Sequence, residues 1–313
     1  MTKSEVIWMN GKLVPYAEAT VHFLTPAMHY GLAVFEGIRC YDTTKGPAVF
    51  RLREHLQRFI NSMKILGIEA VPYDLGTLRQ AVHATIRANA FESCYIRPLM
   101  YMAEGGLGLN LDNLVPAVGI AVWDWGNFLG DEGLKKGIRA MVSSFTRHHP
   151  NISMTKAKIS GNYVNSVMAK TLAIRAGFDE AIMLDPEGFV AECSGENIFL
   201  VRDNTIYTPP RAIVLEGITR DAIITIARDL GYRVIEELIS RDQLYSADEV
   251  FVTGTAAECV GIREIDYRTV GEGAMGPVTS ALQAEFFQTV IGKGERSAEW
   301  LDYVQSGESV QVA

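Results

Sequence analysis

The sequence predicts an α+β protein built as two domains. Its 313 residues are more than one core usually organises. Hairpin signals occur in both halves, which points to antiparallel sheet, and amphipathic helical runs fall between them.

Val6-Ile7-Trp8-Met9 and Lys12-Leu13-Val14 flank Asn10-Gly11, a pair suited to the two-residue hairpin turn. A second hairpin is expected from Ala33 to Tyr41 and from Ala48 to Leu52, turning through Asp42-Thr43-Thr44-Lys45-Gly46. Leu56, Phe59, Ile60 and Met63 recur at helical spacing, and Gly67 suits the C-cap. Another helix is expected from Asp74 to Asn89, with strands near Cys94–Met102 and Ala117–Trp123. The first half thus reads as a sheet covered by two helices. The pattern then breaks into Asn127-Phe128-Leu129-Gly130-Asp131-Glu132-Gly133. The expected organisation is therefore a first domain over residues 1–125, a connection over 126–136 and a second domain over 137–313. That domain opens with a strand from Ile138 to Ser144 and a helix from Ser160 to Ala176, stopped by Gly177. Asp185-Pro186-Glu187-Gly188 and Asp203-Asn204 are expected as hairpin turns. Helices near Thr219–Leu230 and Val278–Ile291 alternate with strands near Arg233–Glu237 and Glu249–Thr253. The polar tail after Leu301 is expected to fray.

Hydrophobic residues make up 48% and charged residues 21%, as in a soluble globular protein. A net charge of −8 argues against nucleic acid or anionic membrane as a partner, since both favour basic clusters. No apolar run is long enough to span a bilayer, and Met1-Thr2-Lys3-Ser4-Glu5 leads into a strand pattern without a signal peptide's apolar core. A cytoplasmic location is expected. Cys40, Cys94, Cys193 and Cys259 lie far apart and are expected as buried thiols of a reducing compartment. His148-His149 precedes Pro150 with no companion ligands, so a solvent-facing loop is expected there and no metal.

Two segments carry distinctive chemistry. One is Ala157-Lys158-Ile159-Ser160-Gly161-Asn162-Tyr163 and the other Glu192-Cys193-Ser194-Gly195-Glu196-Asn197-Ile198-Phe199. A lysine entering a helix and a carboxylate on a later strand are what pyridoxal phosphate chemistry needs. The amine forms a Schiff base with the aldehyde, and the carboxylate keeps the pyridine nitrogen protonated so that the ring accepts electrons. A phosphate ester additionally needs helix N-termini, hydroxyls and a cation. Leu215-Glu216-Gly217-Ile218-Thr219-Arg220-Asp221 offers a glycine turn opening a helix, and Gly254-Thr255-Ala256-Ala257-Glu258 a glycine and a hydroxyl at a strand end. Thr219 taken alone reads as an ordinary N-cap and Arg58 as a surface ion pair. Spacing alone does not bring these segments together.

The resemblance does. The chain resembles the class IV aminotransferases, and within them the branched-chain amino-acid aminotransferases, over roughly Val6 to Phe287. The matching stretches are His29-Tyr30-Gly31, Val34-Phe35-Glu36-Gly37-Ile38-Arg39, Tyr95-Ile96-Arg97-Pro98-Leu99, the lysine and glutamate segments, Gly217-Ile218-Thr219-Arg220 and Gly254-Thr255-Ala256-Ala257-Glu258. The resemblance implies a fold-type-IV pyridoxal 5′-phosphate enzyme, with an N-terminal α/β sandwich, a C-terminal pseudobarrel and the cofactor between them. It implies Lys158 as the Schiff-base and catalytic residue and Glu192 at the pyridine nitrogen. Tyr163 is implied at the phenolic oxygen, Arg58, Ile218, Thr219 and Thr255 at the phosphate, and Leu215 against the ring. Family register favours Lys158 over Lys156, and Glu192 over Glu196.

The implied substrate pocket holds an aliphatic side chain in one half-reaction and glutamate in the other. Tyr30, Phe35, Gly37 and Trp125 are implied as its walls, and Arg97 as the fork for a second carboxylate. Tyr95 and the N–H groups of Thr255 and Ala256 are implied at the α-carboxylate. Singly, each aromatic reads as core. Leu107 and Leu109, in Gly105-Gly106-Leu107-Gly108-Leu109-Asn110, are implied to reach a neighbouring subunit's pocket, which makes a homodimer the minimal active unit. Phe128 stands where a tyrosine is common in bacterial relatives and is expected to weaken the hold on glutamate's distal carboxylate. The implied reaction passes the amino group of leucine, isoleucine or valine to 2-oxoglutarate. D-amino-acid aminotransferases and aminodeoxychorismate lyases share the fold. The first is disfavoured by the Phe35–Arg39 and Tyr95–Leu99 motifs, the second by an apolar pocket, and a non-catalytic cofactor binder by the intact lysine and glutamate.

Overall fold

The structure, a computed structural model, describes residues 4–126 and 130–304. The described residues of 1–126, 157–162 and 289–313 form one compact unit, and those of 127–156 and 163–288 a second. The chain thus contributes to the first unit three times. Its short middle visit carries Lys158.

The first unit opens on the hairpin of β1 (Val6–Met9) and β2 (Lys12–Pro15), where Asn10 and Gly11 take φ of 46° and 96°. A short helix α1 (Pro26–Tyr30) precedes β3 (Ala33–Phe35), β4 (Ile38–Tyr41) and β5 (Ala48–Phe50). The single strand expected from Ala33 to Tyr41 is interrupted at Glu36-Gly37. Glu36 donates its N–H to the Pro98 carbonyl at 2.9 Å, and proline has no N–H to return the bond. The helices α2 (Leu52–Leu66) and α3 (Leu75–Ala88) follow. Gly67 closes the first of these, and Asp74 caps the second by accepting from the Thr77 N–H at 2.7 Å. Then come β6 (Cys94–Glu104) and β7 (Val115–Trp123).

In the second unit, α4 (Gly130–Lys136) lies within the stretch expected as a plain connection, and β8 (Ile138–Val142) follows. The helix expected from Ser160 starts as a 3₁₀ turn and becomes α5 (Tyr163–Arg175). Next are β9 (Glu180–Leu184), β10 (Val190–Cys193), β11 (Asn197–Arg202) and β12 (Thr205–Thr208), with Asp203 and Asn204 at positive φ as their turn requires. The unit continues through α6 (Ile218–Asp229), β13 (Arg233–Glu236), α7 (Arg241–Tyr245), β14 (Glu249–Gly254), β15 (Glu258–Ile265), β16 (Arg268–Thr269) and α8 (Pro277–Val290). The described residues close with α9 (Ser297–Trp300) and β17 (Leu301–Tyr303). The start of the tail is therefore ordered: β17 pairs with β5 at the rim of the first sheet.

The first sheet runs β17-β5-β4-β6-β7-β1-β2, with β3 also on β6. Its core face packs Val34, Ile38, Ile96, Met100 and Ile120 against Leu56, Phe59 and Met63 of α2 and Leu78 and Val82 of α3. In the second unit, β9-β8-β15-β14-β11-β10 form a ring, because β10 pairs with both β9 and β11. The pair joining β10 to β11 is Glu192 opposite Asn197. This is the expected pseudobarrel, filled by residues such as Ile182, Ile198, Val252 and Val260. All four cysteines are buried and free. Among the described residues, no helix is long and apolar enough to cross a membrane.

Candidate active site

Period-two alternation gives the first sheet two different faces. Val34, Ile38 and Cys40 point into the core under α2, and the same period places Glu36 with them. Phe35, Gly37, Tyr95 and Arg97 lie on the opposite face. There the Arg97 guanidinium sits 4.7 Å from the Phe35 ring centroid, 5.6 Å from Tyr95 and 5.7 Å from Trp123. Its Nε is buried without a hydrogen-bond partner. Faces of aromatic rings, which attract a cation but accept little, hold this side chain. Trp125 stands edge-on to Tyr95 with centroids 4.5 Å apart. Gly37 makes the packing achievable, since a Cβ there would lie 2.0 Å from the Tyr95 hydroxyl oxygen.

Residues 157–162 extend this sheet beside β3. Phe35 donates its N–H to the Lys158 carbonyl at 3.0 Å, and Val34 bridges to Ile159. The Lys158 N–H donates to Ser62 Oγ on α2 at 3.0 Å. Two elements therefore fix the lysine backbone, and its Nζ lies 4.8 Å from the Phe35 ring centroid. On α2, Arg58 donates from Nε and Nη2 to the Glu36 carboxylate at 2.7 and 2.8 Å. This is not the surface ion pair that Arg58 taken alone suggests, because Glu36 is fully buried. Tyr30, Leu107 and Leu109 are exposed, with Leu109 at 90%, and the Tyr30 hydroxyl donates to the Leu107 carbonyl at 2.7 Å.

In the second unit Glu192 sits on β10 as an acceptor for three donors. Arg147 Nε reaches one oxygen at 2.5 Å. Asn197 Nδ2 and the Leu215 N–H reach the other at 3.2 and 3.0 Å. Asn197 Nδ2 also donates to the Leu215 carbonyl at 3.0 Å, which ties this loop to the barrel. Arg147 in turn donates to His148 Nδ1 at 2.9 Å. Burial, then the neighbouring Arg147 charge, pushes His148 down to about 4, so its imidazole is neutral at neutral pH and can accept. The solvent-facing loop expected at His148-His149 is thus half wrong: His149 is exposed, but His148 is partly buried and braces Arg147.

The helix α6 starts one residue before the sequence suggested. Gly217 is its N-cap and gives no side-chain cap, so Ile218 and Thr219 are first-turn residues and Thr219 is not the N-cap. A Cβ at Gly217 would meet Asn197 Oδ1 at 1.9 Å. Thr255 and Ala256 occupy the hairpin turn between β14 and β15, and Tyr163 is the first residue of α5, half-buried.

The two rivals have other work. Lys156 donates to the carbonyls of Arg211 and Val214, the latter at 2.8 Å, and so clamps the loop before Leu215. Glu196 is buried beside the buried Glu180, with the half-buried Lys170 facing them. Burial, then the Glu180 charge, raises Glu196 to about 8. Phe128 lies outside the described residues. Sequence reasoning missed Arg147, Asn197, Glu36 and His55 as supports. Asn197 and Glu36 stood inside quoted motifs, but Arg147 had no local signal.

Residues 33–265 match the family model Amino-transferase class IV. The chain belongs to the class IV aminotransferases, in their branched-chain-amino-acid aminotransferase branch. A branched-chain-amino-acid aminotransferase of Pseudomonas aeruginosa is 50% identical over 300 residues, covering 96% of this chain and 97% of that protein. The solved branched-chain amino acid aminotransferase of Escherichia coli is 46% identical with a TM-score of 0.94, over 97% of this chain and all of that one. The Thermobaculum terrenum branched-chain amino acid aminotransferase, solved in its PLP form, is 33% identical with a TM-score of 0.90, over 98% of this chain and all of that one.

Proposed function

We propose that the protein transfers the amino group of L-leucine, L-isoleucine or L-valine to 2-oxoglutarate, with pyridoxal 5′-phosphate as its cofactor. The products are the branched-chain 2-oxo acid and L-glutamate. The setting of Lys158 carries the reading: a lysine clamped through its backbone, its amine over an aromatic ring, on a sheet that also bears an arginine held by aromatic faces.

The residues present fit this cofactor by the chemistry of their donors and acceptors. A buried carboxylate, an uncapped helix N-terminus, an oriented guanidinium and an amine match a protonated pyridine nitrogen, a phosphate and an aldehyde. When bound, the cofactor supplies an aldehyde that takes up an amine and a ring that draws electrons from the substrate Cα. Lys158 Nζ would hold the cofactor covalently between turnovers and, once the substrate amine had displaced it, would take the proton from the substrate Cα and hand it on. Glu192 accepts from the pyridine N–H, and Arg147 and Asn197 keep its oxygens in place. Arg58, the N–H groups of Ile218 and Thr219, and Thr255 hold the phosphate. Tyr163 donates to the phenolic oxygen, and Leu215 packs against the ring.

For the substrate, Tyr95 and the N–H groups of Thr255 and Ala256 receive the α-carboxylate. Phe35, Trp125 and the backbone of Gly37 suit an aliphatic side chain. Arg97 serves glutamate, whose second carboxylate needs the N–H donors that ring faces do not consume. Tyr30 is a further wall of this pocket, and Leu107 and Leu109 complete the pocket of a second copy, so a homodimer is the smallest active form. Phe23, Met28 and Leu109 on the first unit, and the stripe Val164, Val167, Met168 and Leu172 on α5, are exposed apolar surfaces that support an assembly. Four buried free thiols support a cytoplasmic location.

Amino-transfer rates to 2-oxoglutarate from L-leucine, L-isoleucine, L-valine and D-alanine test the reading. The three branched-chain substrates should react and D-alanine should not. Preference for D-alanine, or loss of the amino group without transfer, would overturn it.

A further inference from the structure

Behind Arg58 lies a buried charged cluster that amino transfer does not itself require. Glu36 occupies a core position of the first sheet, on the face of Val34 and Ile38, and is 0% exposed. A carboxylate there carries a heavy desolvation cost, which only close pairing and hydrogen bonds can offset. His55, Arg58 and Ser62 fall at i, i+3 and i+7 on α2, one helical stripe, and all three are spent on this region. Arg58 grips both Glu36 oxygens, His55 Nδ1 stands 2.7 Å from Glu36 Oε2, and Ser62 holds the Lys158 backbone.

We propose that Glu36, backed by His55, is a positioning residue that sets the direction of the Arg58 fork so that it meets the cofactor phosphate pre-oriented. The proposal rests on the reading of Arg58 as a phosphate ligand. Glu36 takes the Nε–Nη2 edge of a planar group, so the direction of the Nη1 edge follows from that pairing. An arginine on a flexible stem loses rotamer freedom when immobilised, and here the folded protein has already ordered it. Burial raises the Glu36 carboxyl, but the Arg58 charge and the hydrogen bonds from Arg58 and His55 outweigh this and hold it well below the usual carboxylate range. Burial lowers His55 from its ordinary value, with the Arg58 and Lys158 charges adding to this against the pull of Glu36. The neutral imidazole therefore donates from Nδ1 to the carboxylate. The trio carries no net charge. If attraction for phosphate were the whole demand, an uncharged residue at position 36 would leave more positive potential. The carboxylate reduces that potential and gives direction in exchange.

The two ideas predict opposite signs for Glu36→Gln. The amide keeps one acceptor for Arg58 Nε but turns N–H groups toward Arg58 Nη2 and His55. The experiment measures affinities of the cofactor-free protein for pyridoxal 5′-phosphate and for pyridoxal, which lacks the phosphate. Their ratio isolates phosphate recognition. Glu36→Gln should lower that ratio by about tenfold, the equivalent of one charge-assisted hydrogen bond, while pyridoxal affinity stays within about twofold. In an Arg58→Ala background the same change should have no further effect, since positioning acts through Arg58. An unchanged or raised ratio, or an equal fall in the Arg58→Ala background, would overturn the positioning role alone. An Arg58→Ala protein with the wild-type ratio would overturn both this role and the reading of Arg58. If Glu36→Gln does not fold, His55→Gln serves instead. It should lower the ratio by roughly threefold, and no change would refute the proposal.

Discussion

Arg97→Met separates recognition of glutamate from support of the sheet. The guanidinium touches three rings at 4.7, 5.6 and 5.7 Å, contacts worth about 0.5–1 kcal/mol each, so the stability at stake is roughly 1.5–3 kcal/mol. Methionine recovers part of this through its own contacts with aromatic rings. That loss acts on the fold and is shared by every substrate. The second effect is selective. A glutamate carboxylate deprived of its partner in an apolar pocket loses about 2–5 kcal/mol, or on the order of 30- to 5,000-fold. Leucine presents nothing for the guanidinium to bind and should lose only a few-fold. Single-turnover rates with L-glutamate and L-leucine, beside the melting temperature of the same protein, make the comparison. A parallel fall in both rates would show that Arg97 only props the aromatic face.

Glu192→Gln should retain the cofactor and lose most of the single-turnover rate. The amide cannot match a protonated ring nitrogen and also leaves Arg147 facing an uncharged group, a change worth about 1.5–3 kcal/mol or more in a dry site. A near-normal rate would give Glu192 another role. The Glu180–Glu196 pair predicts a pH effect on stability. Glu196 titrates near 8 when folded, far above an ordinary carboxyl, so its contribution is fully present below about 4.5 and is lost as pH rises through about 8. Melting temperature should fall between pH 5 and 8.5, and Glu196→Gln, which mimics the protonated form, should flatten that fall. The same slope in the mutant would refute the assignment.

Much of the fold was legible because it is locally encoded. Asn10-Gly11, Asp203-Asn204 and Gly67 each require a backbone conformation that few other residues supply, and the α2 and α3 stripes follow a helical period. The break at Glu36-Gly37 was not legible, since its cause is Pro98 on another strand. Nor was the return of residues 157–162 and 289–304 to the first unit, which depends on pairing at long range. Within the candidate site, Lys158 and Glu192 stood out through their flanking residues. Their supports did not: Arg147 reaches Glu192 from 45 positions away, and Ser62 reaches Lys158 from 96. Single polar residues at such separations leave no pattern in the chain.

Every role proposed for the site depends on Lys158 being the lysine that carries the cofactor. Borohydride reduction of the holoenzyme followed by peptide mass mapping tests it directly. One pyridoxyl-phosphate adduct per chain is expected, on the peptide containing Lys158 and at that residue, and none in Lys158→Ala. An adduct on Lys156 or Lys170 would contradict it.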